Sequence, residues 1–495
     1  MNTYVCASLR RMPSTGFDLA ASAYEEMLRE GFAPDFSPAI AQQVNALQST
    51  SQAPPSNGLR DMRDLLWSSI DNDTSRDLDQ IEVAEETPDG IKVLIGIADV
   101  DADVPIGSPI DGHAAAQTTT VYTPVRTFPM LPEALSTDLT SLSPGSDRAA
   151  VVVEFVVGAD GVLGPTEVYR ALVRNKFQLT YEAVGPWLNG AASAPHAVDA
   201  DPELTAQLKL QDKAASQLRA QRQRLGALVF DRIEAEPVVK AGEVQTIAAR
   251  PKNRASDLIE DFMIAANEVM ARTLGRAGIS SIRRVVKSPE RWPRMVAIAA
   301  AHGTALPAQP DSAALAAFLA EQRQQSPIQY PDLSLSILKL MGPGEYVLER
   351  PGEKSAGHFG LAANDYTHST APNRRFADLV TQRLVKTLLT KAQAPYSDDE
   401  LAQIAQDCTV KEDAARKVER VMGKRAAALA FGNRIGQTFS AVVTGVTPKG
   451  VFVRVLNPPV EGRVTRGEQG LDVGDQLQVT LLHTDPERGF IDFGR

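Results

Sequence analysis

Two pairs of apolar segments joined by tight-turn signals constrain this chain more than any other feature. Gln80–Ala84 and Ile91–Ala98 flank Pro88-Asp89-Gly90, and Ala149–Val157 and Val162–Val168 flank Asp160-Gly161. Apolar, β-branched runs broken by such turns predict antiparallel hairpins. Beyond them the apolar spacing turns helical, predicting helices over 202–225, 255–274, 289–302, 312–324, 377–390 and 398–431. Strands early and helices late predict an α+β arrangement, a central mixed α/β domain rather than a doubly wound sheet.

The ends differ from this centre. Phe17–Glu30 has helical apolar spacing and Gly31 supplies a stop; Ser37 and Pro38 then read as N-cap and first residue of a second helix through Leu47. The pair fits either a helix-turn-helix or a plain helical hairpin. Ser49–Gly58, rich in Ser, Gln and Pro, reads as a linker. At the other end, five short segments (439–446, 450–456, 461–464, 476–482 and 489–493) are separated by Pro, Gly and Asp, which predicts an all-β OB-fold barrel. Three parts result: a helical 1–58, a catalytic 59–432 and a barrel 433–495. Within Val451–Val455, period two puts the valines on one face and Phe452 with Arg454 on the other. An outward aromatic beside an outward Arg is a platform for single-stranded nucleic acid.

Composition excludes some classes. Lys+Arg total 51 against Asp+Glu 61, a net charge of −10, so any contact with a polyanion must be local rather than histone-like. The two cysteines, Cys6 and Cys408, make no disulfide framework and fit a reducing compartment. The most apolar run, Ala149–Val157, is short and interrupted by Glu154. With no N-terminal apolar leader either, a cytoplasmic, monomeric protein without a membrane partner is expected.

Asp71, Asp73, Asp77 and Asp79 fall immediately before the first hairpin. Crowded carboxylates repel, and a divalent cation relieves them; oxygen-only ligands favour Mg²⁺, Mn²⁺ or Ca²⁺. Asp71, Asp73, Ser75, Asp77, Asp79 and Glu82 also satisfy a calcium-loop register, but Arg76 stands where that loop needs Gly. A solvated acidic loop is a further reading. Two other segments favour a Mg²⁺ site for phosphoryl transfer. Arg374 and Arg375 sit at the mouth of the helix starting near Ala377, where cations oppose the helix dipole and call for an anion or a carboxylate partner. Glu260-Asp261 interrupts an apolar helix, and reads equally as a surface pair. No HExxH, Walker A loop or G-x-S-x-G elbow is present, and the histidines read as packing or hydrogen-bonding residues.

These residues resemble a known family. Ile70-Asp71 through Asp79, IADV at 97–100, FPMLPEALSTDLTSL at 128–142, LIEDFMIAAN at 258–267, HFGLA at 358–362 and APNRRFADL at 371–379 resemble the RNB catalytic domain of the ribonuclease II / ribonuclease R family. The tail from about Gly436 resembles an S1 domain. The resemblance implies a Mg²⁺-dependent exoribonuclease, with Mn²⁺ as an alternative ion. It would degrade single-stranded RNA processively from a free 3′ end to nucleoside 5′-monophosphates. It implies Asp71, Asp77 and Asp79 as catalytic and metal-binding acids, and Arg374 as the arginine on the scissile phosphate. It also implies Tyr122 and Phe230 as aromatics clamping the terminal nucleotides, and Glu260 near the leaving nucleotide. Arg375 is expected to join the RNA contacts.

Two departures stand out. Gln80 occupies the place of the family's fourth acidic residue; its amide oxygen can ligate a metal but carries no charge. The helical N-terminus is too short for the cold-shock barrels with which family members commonly begin, so we expect it to guide RNA together with the S1 barrel. The alternative function is a catalytically silent RNA-binding regulator that has lost its metal through Gln80.

Overall fold

A computed structural model describes residues 17–50, 58–231, 234–240, 243–250, 252–353 and 355–495. Cys6 and most of the expected linker, residues 51–57, lie outside the described residues.

The two hairpins form the middle of a seven-stranded sheet. Its order is Arg60–Asp61, Leu163–Arg174, Asp147–Val157, Gly90–Ala98, Gln80–Thr87, Ser68–Asp71 and Phe177–Thr180. The first hairpin runs in unbroken register from Gln80↔Ile97 to Thr87↔Gly90. Gly90 is required there: its φ is +139°, and a Cβ would lie 2.3 Å from the carbonyl oxygen of Val157. Val151, Val152, Val153 and Phe155 are all fully buried, which explains why that strand reads as a continuous apolar run. Ser68–Asp71 pairs parallel with Phe177–Thr180 at one edge. Both strands are too short and polar for periodicity to reveal.

The helices begin where their caps say. Pro202–Arg224 is capped by Asp201, Arg254–Arg276 by an Asn253/Ser256 capping box, and Asp398–Phe431 by a Ser397/Glu400 box. Phe262 and Ala266 from Arg254–Arg276, and Leu379 and Val380 from Phe376–Thr390, complete the core around the sheet. A helical layer of Trp292–Ala301, Ser312–Gln325 and Tyr330–Met341 has its own core around Met295, Phe318 and Ile337.

At the C-terminus a closed five-stranded barrel forms in the order Thr438–Thr447, Gly450–Val455, Val460–Arg466, Phe490–Gly494, Gln476–Asp485. The predicted alternation holds: Val453 and Val455 are fully buried. The long helix Asp398–Phe431 carries the chain from one unit to the other, and its Ala428 and Phe431 pack with Val453 and Phe493 of the barrel. The first N-terminal helix, Leu19–Arg29, is capped by Asp18 and buries Ala23 and Met27 against Val418 and Met422 of the same long helix. The second, Pro38–Thr50, lies elsewhere: Gln43 accepts a hydrogen bond from the backbone of Ile110. Among the described residues no helix is long and apolar enough to cross a membrane.

Candidate active site

The acidic loop is stapled from below. Leu78 donates from its backbone N–H to Ser141 Oγ (3.1 Å), its carbonyl accepts from Leu142 (2.9 Å), and Ser141 Oγ donates to the Arg76 carbonyl (2.9 Å). The Asp79 carbonyl accepts from Ala98, which joins the loop to the sheet. These bonds explain why the 128–142 segment accompanies the acids.

The arginine turn is tied just as closely. Ser369 donates through N–H and hydroxyl to Asn267 Oδ1 (2.8 and 2.7 Å), Thr140 Oγ1 donates to Asn373 Oδ1 (2.6 Å), and the N–H of Phe376 reaches the Thr118 carbonyl. Loop and turn meet at Asp79. Its Oδ1 accepts the backbone N–H of Asn373 at 3.0 Å, and its Oδ2 lies 3.5 Å from Arg374 Nε. Asp79 is 2% exposed, whereas the Arg374 side chain is 46% exposed, so the arginine offers its open face to solvent.

Burial pushes the Asp79 carboxyl up to about 7, against the pull of Arg374 and the Asn373 N–H; the charges of Asp77 and Asp378 add to the rise. Burial also raises Asp77, with Arg374 opposing. Tyr122 is exposed beside this group, and its hydroxyl lies in the fields of Arg374, Asp77 and Asp79. Its backbone N–H donates to Glu419 of the long helix.

Asp71 accepts at one oxygen, Oδ1, from the Asn72 N–H and from Ser75 Oγ, both at 2.7 Å. Among the described residues no three acidic, histidine or cysteine side chains are gathered around one point. The donor chemistry nonetheless fits a hard divalent cation: all ligand atoms are oxygens, and Asp77 and Asp79 are carboxylates that burial makes costly to ionise. Mg²⁺ needs only one or two protein carboxylates alongside substrate phosphate oxygens. The calcium-loop reading fails, because Glu82 lies within a β-strand and Ser75 is spent on Asp71.

Two of the residues expected to contact RNA are ion-paired within the chain. Arg375 does not face outward: it donates twice to the fully buried Asp378, both bonds 2.7 Å. That is the carboxylate partner the helix start requires. Arg454 leaves the barrel on the expected face, but it is spent on a bidentate pair with Asp332 of the helical layer (3.1 and 2.8 Å), with both side chains largely covered. Phe452 beside it is half-buried.

Glu260 is exposed and ion-paired with Lys252, while its neighbour Asp261 is buried against Arg219 and Arg222, so the two are not one surface pair. Phe230 is half-buried against the core of the helical layer. Gln80 is 7% exposed. His358 caps a short turn through Nδ1, and His368 Nδ1 meets the Tyr346 hydroxyl at 2.7 Å, so both are hydrogen-bonding residues as expected. Sequence reasoning missed Asn373 and Asp378. The spacing from Arg375 to Asp378, one helical turn, was the available signal for the second.

The sequence pattern of the RNB domain matches residues 59–391, and that of the RNase II-type exonuclease C-terminal S1 domain matches 437–495. Ribonuclease R 1 of Lactococcus lactis is 28% identical over 469 residues, covering 88% of this chain and 56% of that protein. Ribonuclease R of Escherichia coli is 31% identical over 448 residues, covering 86% and 53%. The chain thus spans little more than half the length of these curated relatives. Mycoplasma genitalium RNase R, solved in complex with ribose methylated single-stranded RNA, superposes with a TM-score of 0.85 at 25% identity, covering 96% of this chain and 78% of that one. With a catalytic-domain match over two acidic-loop and arginine-turn segments that the fold brings together, and an S1 match over the barrel, this chain belongs to the RNB-domain family.

Proposed function

We propose that the chain is a hydrolytic exoribonuclease that shortens single-stranded RNA processively from its 3′ end and releases nucleoside 5′-monophosphates. The observation that carries this reading is the Asp79–Arg374 pair. A buried acid and a half-exposed guanidinium 3.5 Å apart are held by separate segments that hydrogen-bond to each other. We take residues 59–432 as the catalytic part, 433–495 as an RNA-binding barrel and 1–58 as a helical part that helps guide RNA.

In this reading Arg374 binds the scissile phosphate and stabilises charge developing on its oxygens. Asp79, fixed by the Asn373 N–H, orients the attacking water. Tyr122 stacks against a terminal base, which tolerates any sequence. Glu260 borders the leaving nucleotide, and Phe230 and Phe452 are the further aromatic contacts. A divalent cation, Mg²⁺ or Mn²⁺, held by Asp71, Asp77, Asp79 and the Gln80 amide oxygen, would polarise the phosphate and activate the water.

The test is 5′-labelled single-stranded RNA incubated with the protein, with and without Mg²⁺. Progressive shortening only with Mg²⁺ supports the reading. Binding without shortening would make the chain a silent RNA-binding regulator instead.

A further inference from the structure

Tyr122, which the exoribonuclease reading sets against a terminal base, stands on a very small element. Its hairpin pairs Val121 with Phe128 and Tyr122 with Thr127, and a two-stranded hairpin is marginally stable at best on its own. The chain reaches it through Thr118, a β-branched residue with a φ of 58°. Such a left-handed conformation persists where the surroundings impose it. What holds Tyr122 in place therefore comes largely from outside its own segment.

The arginine turn and the long helix supply part of that hold. The Thr118 carbonyl accepts from Phe376 (2.8 Å), Thr120 donates to the Arg374 carbonyl (3.0 Å), and the Tyr122 N–H donates to Glu419 (3.1 Å). The N-terminal helical pair supplies the rest. Val121 and Phe128 are buried in one cluster with Ala23 and Met27 of Leu19–Arg29. The Arg126 guanidinium, between the two short strands, lies 4.7 Å from the centre of the Phe128 ring and 5.9 Å from that of Tyr24. The Tyr24 hydroxyl donates to Asp35, in the loop between the two N-terminal helices. The Ala33 carbonyl of the same loop accepts from the side chain of Gln117, the residue before Thr118. Tyr24 thus links the first helix, the loop and the hairpin.

We propose that the N-terminal helical pair positions Tyr122 for RNA, with Tyr24 as a positioning residue that acts through the hairpin. The pair needs no nucleotide contact of its own for this task; it fixes the orientation of a ring that has one. This rests on the exoribonuclease reading for the contact between Tyr122 and a base.

The experiment measures the affinity of the full chain for 5′-labelled single-stranded RNA by fluorescence anisotropy, with EDTA present so that binding is read without hydrolysis. It compares wild type, Tyr24→Ala, Tyr122→Ala and the double variant. Tyr122→Ala is expected to weaken binding about 5- to 150-fold, as loss of a base-stacking aromatic does. Tyr24→Ala should weaken it roughly 3- to 10-fold, within the range of coupling between residues in contact. The double variant should bind no more weakly than Tyr122→Ala, because Tyr24 acts through that ring; a purely structural loss would multiply instead. Gln117→Ala, which releases the Ala33 carbonyl, replaces Tyr24→Ala if the latter does not fold. Wild-type affinity in Tyr24→Ala, or losses that multiply in the double variant, would overturn the proposal while leaving RNA shortening by wild type intact. Conversely, losses that do not multiply, in a chain that shortens no RNA, would keep the positioning role and overturn the exoribonuclease reading. Wild-type affinity in Tyr122→Ala would overturn both the proposal and the stacking role of Tyr122.

Discussion

Arg374 and Arg375 are neighbours with divided tasks. Arg374 lies 3.5 Å from Asp79 with nearly half its side chain exposed, whereas Arg375 is locked by two hydrogen bonds to the buried Asp378. Asp378 also accepts the N–H of Ala371, so this inner pair shapes the turn that presents the outer arginine.

Substituting the two arginines should therefore separate stability from turnover. Arg375→Ala leaves Asp378 buried and unpaired, which typically costs about 3–5 kcal/mol. Arg374→Ala should unfold at close to the wild-type denaturant concentration, yet lose roughly 10²–10³ in turnover. Denaturant melts and RNA-degradation rates on both variants check this. Equal destabilisation by the two would contradict the division.

The Arg454–Asp332 pair joins the barrel to the helical layer with both side chains mostly covered. Either single charge reversal should lower the melting temperature, and the double reversal should restore most of it. A coupling on the order of 1–3 kcal/mol is expected for a bidentate contact of this kind. Additive losses in the cycle would mean that the pair does not hold the barrel.

Acid should weaken the fold through His358. Burial holds its pKa down to about 4, and the Arg284 charge adds to the effect. The unfolded chain titrates near 6.5, so between the two values it binds more protons than the folded one. The stabilisation is complete above about 6.5 and is lost as pH falls toward 4. His368, held well below its usual value by burial, works in the same direction. Asp79, raised to about 7, works the other way, since its protonation on acidification favours the folded state. The His contribution is isolated by comparison with His358→Asn, which can still cap Leu361. The melting-temperature advantage of wild type over that variant should shrink from pH 7 to pH 5. A constant advantage would show that His358 is not held neutral.

Much of the fold was legible because its signals are local. The hairpin turn at Pro88–Gly90, the apolar spacing of the helices over 255–274 and 398–431 and the valine alternation at Val451–Val455 all state their structure within a few residues. The short strand Ser68–Asp71 was not legible, since most of its pairing is long-range, with Phe177–Thr180. The same distinction runs through the site. Asp77, Asp79 and Arg374 could be named from their motifs, and the fold brings Asp77 and Asp79 to Arg374. Whether an exposed-looking Arg is free is a tertiary fact: Asp332, which claims Arg454, is 122 residues away in sequence. Likewise, nothing local revealed that the backbone of Asn373 would hold Asp79 across 294 residues.

The most direct test of the account is the rate of nucleoside 5′-monophosphate release from single-stranded RNA by Asp79→Asn, with RNA affinity measured in parallel. The account predicts a fall of about 10²–10³ in release with binding preserved. Release near the wild-type rate would contradict it.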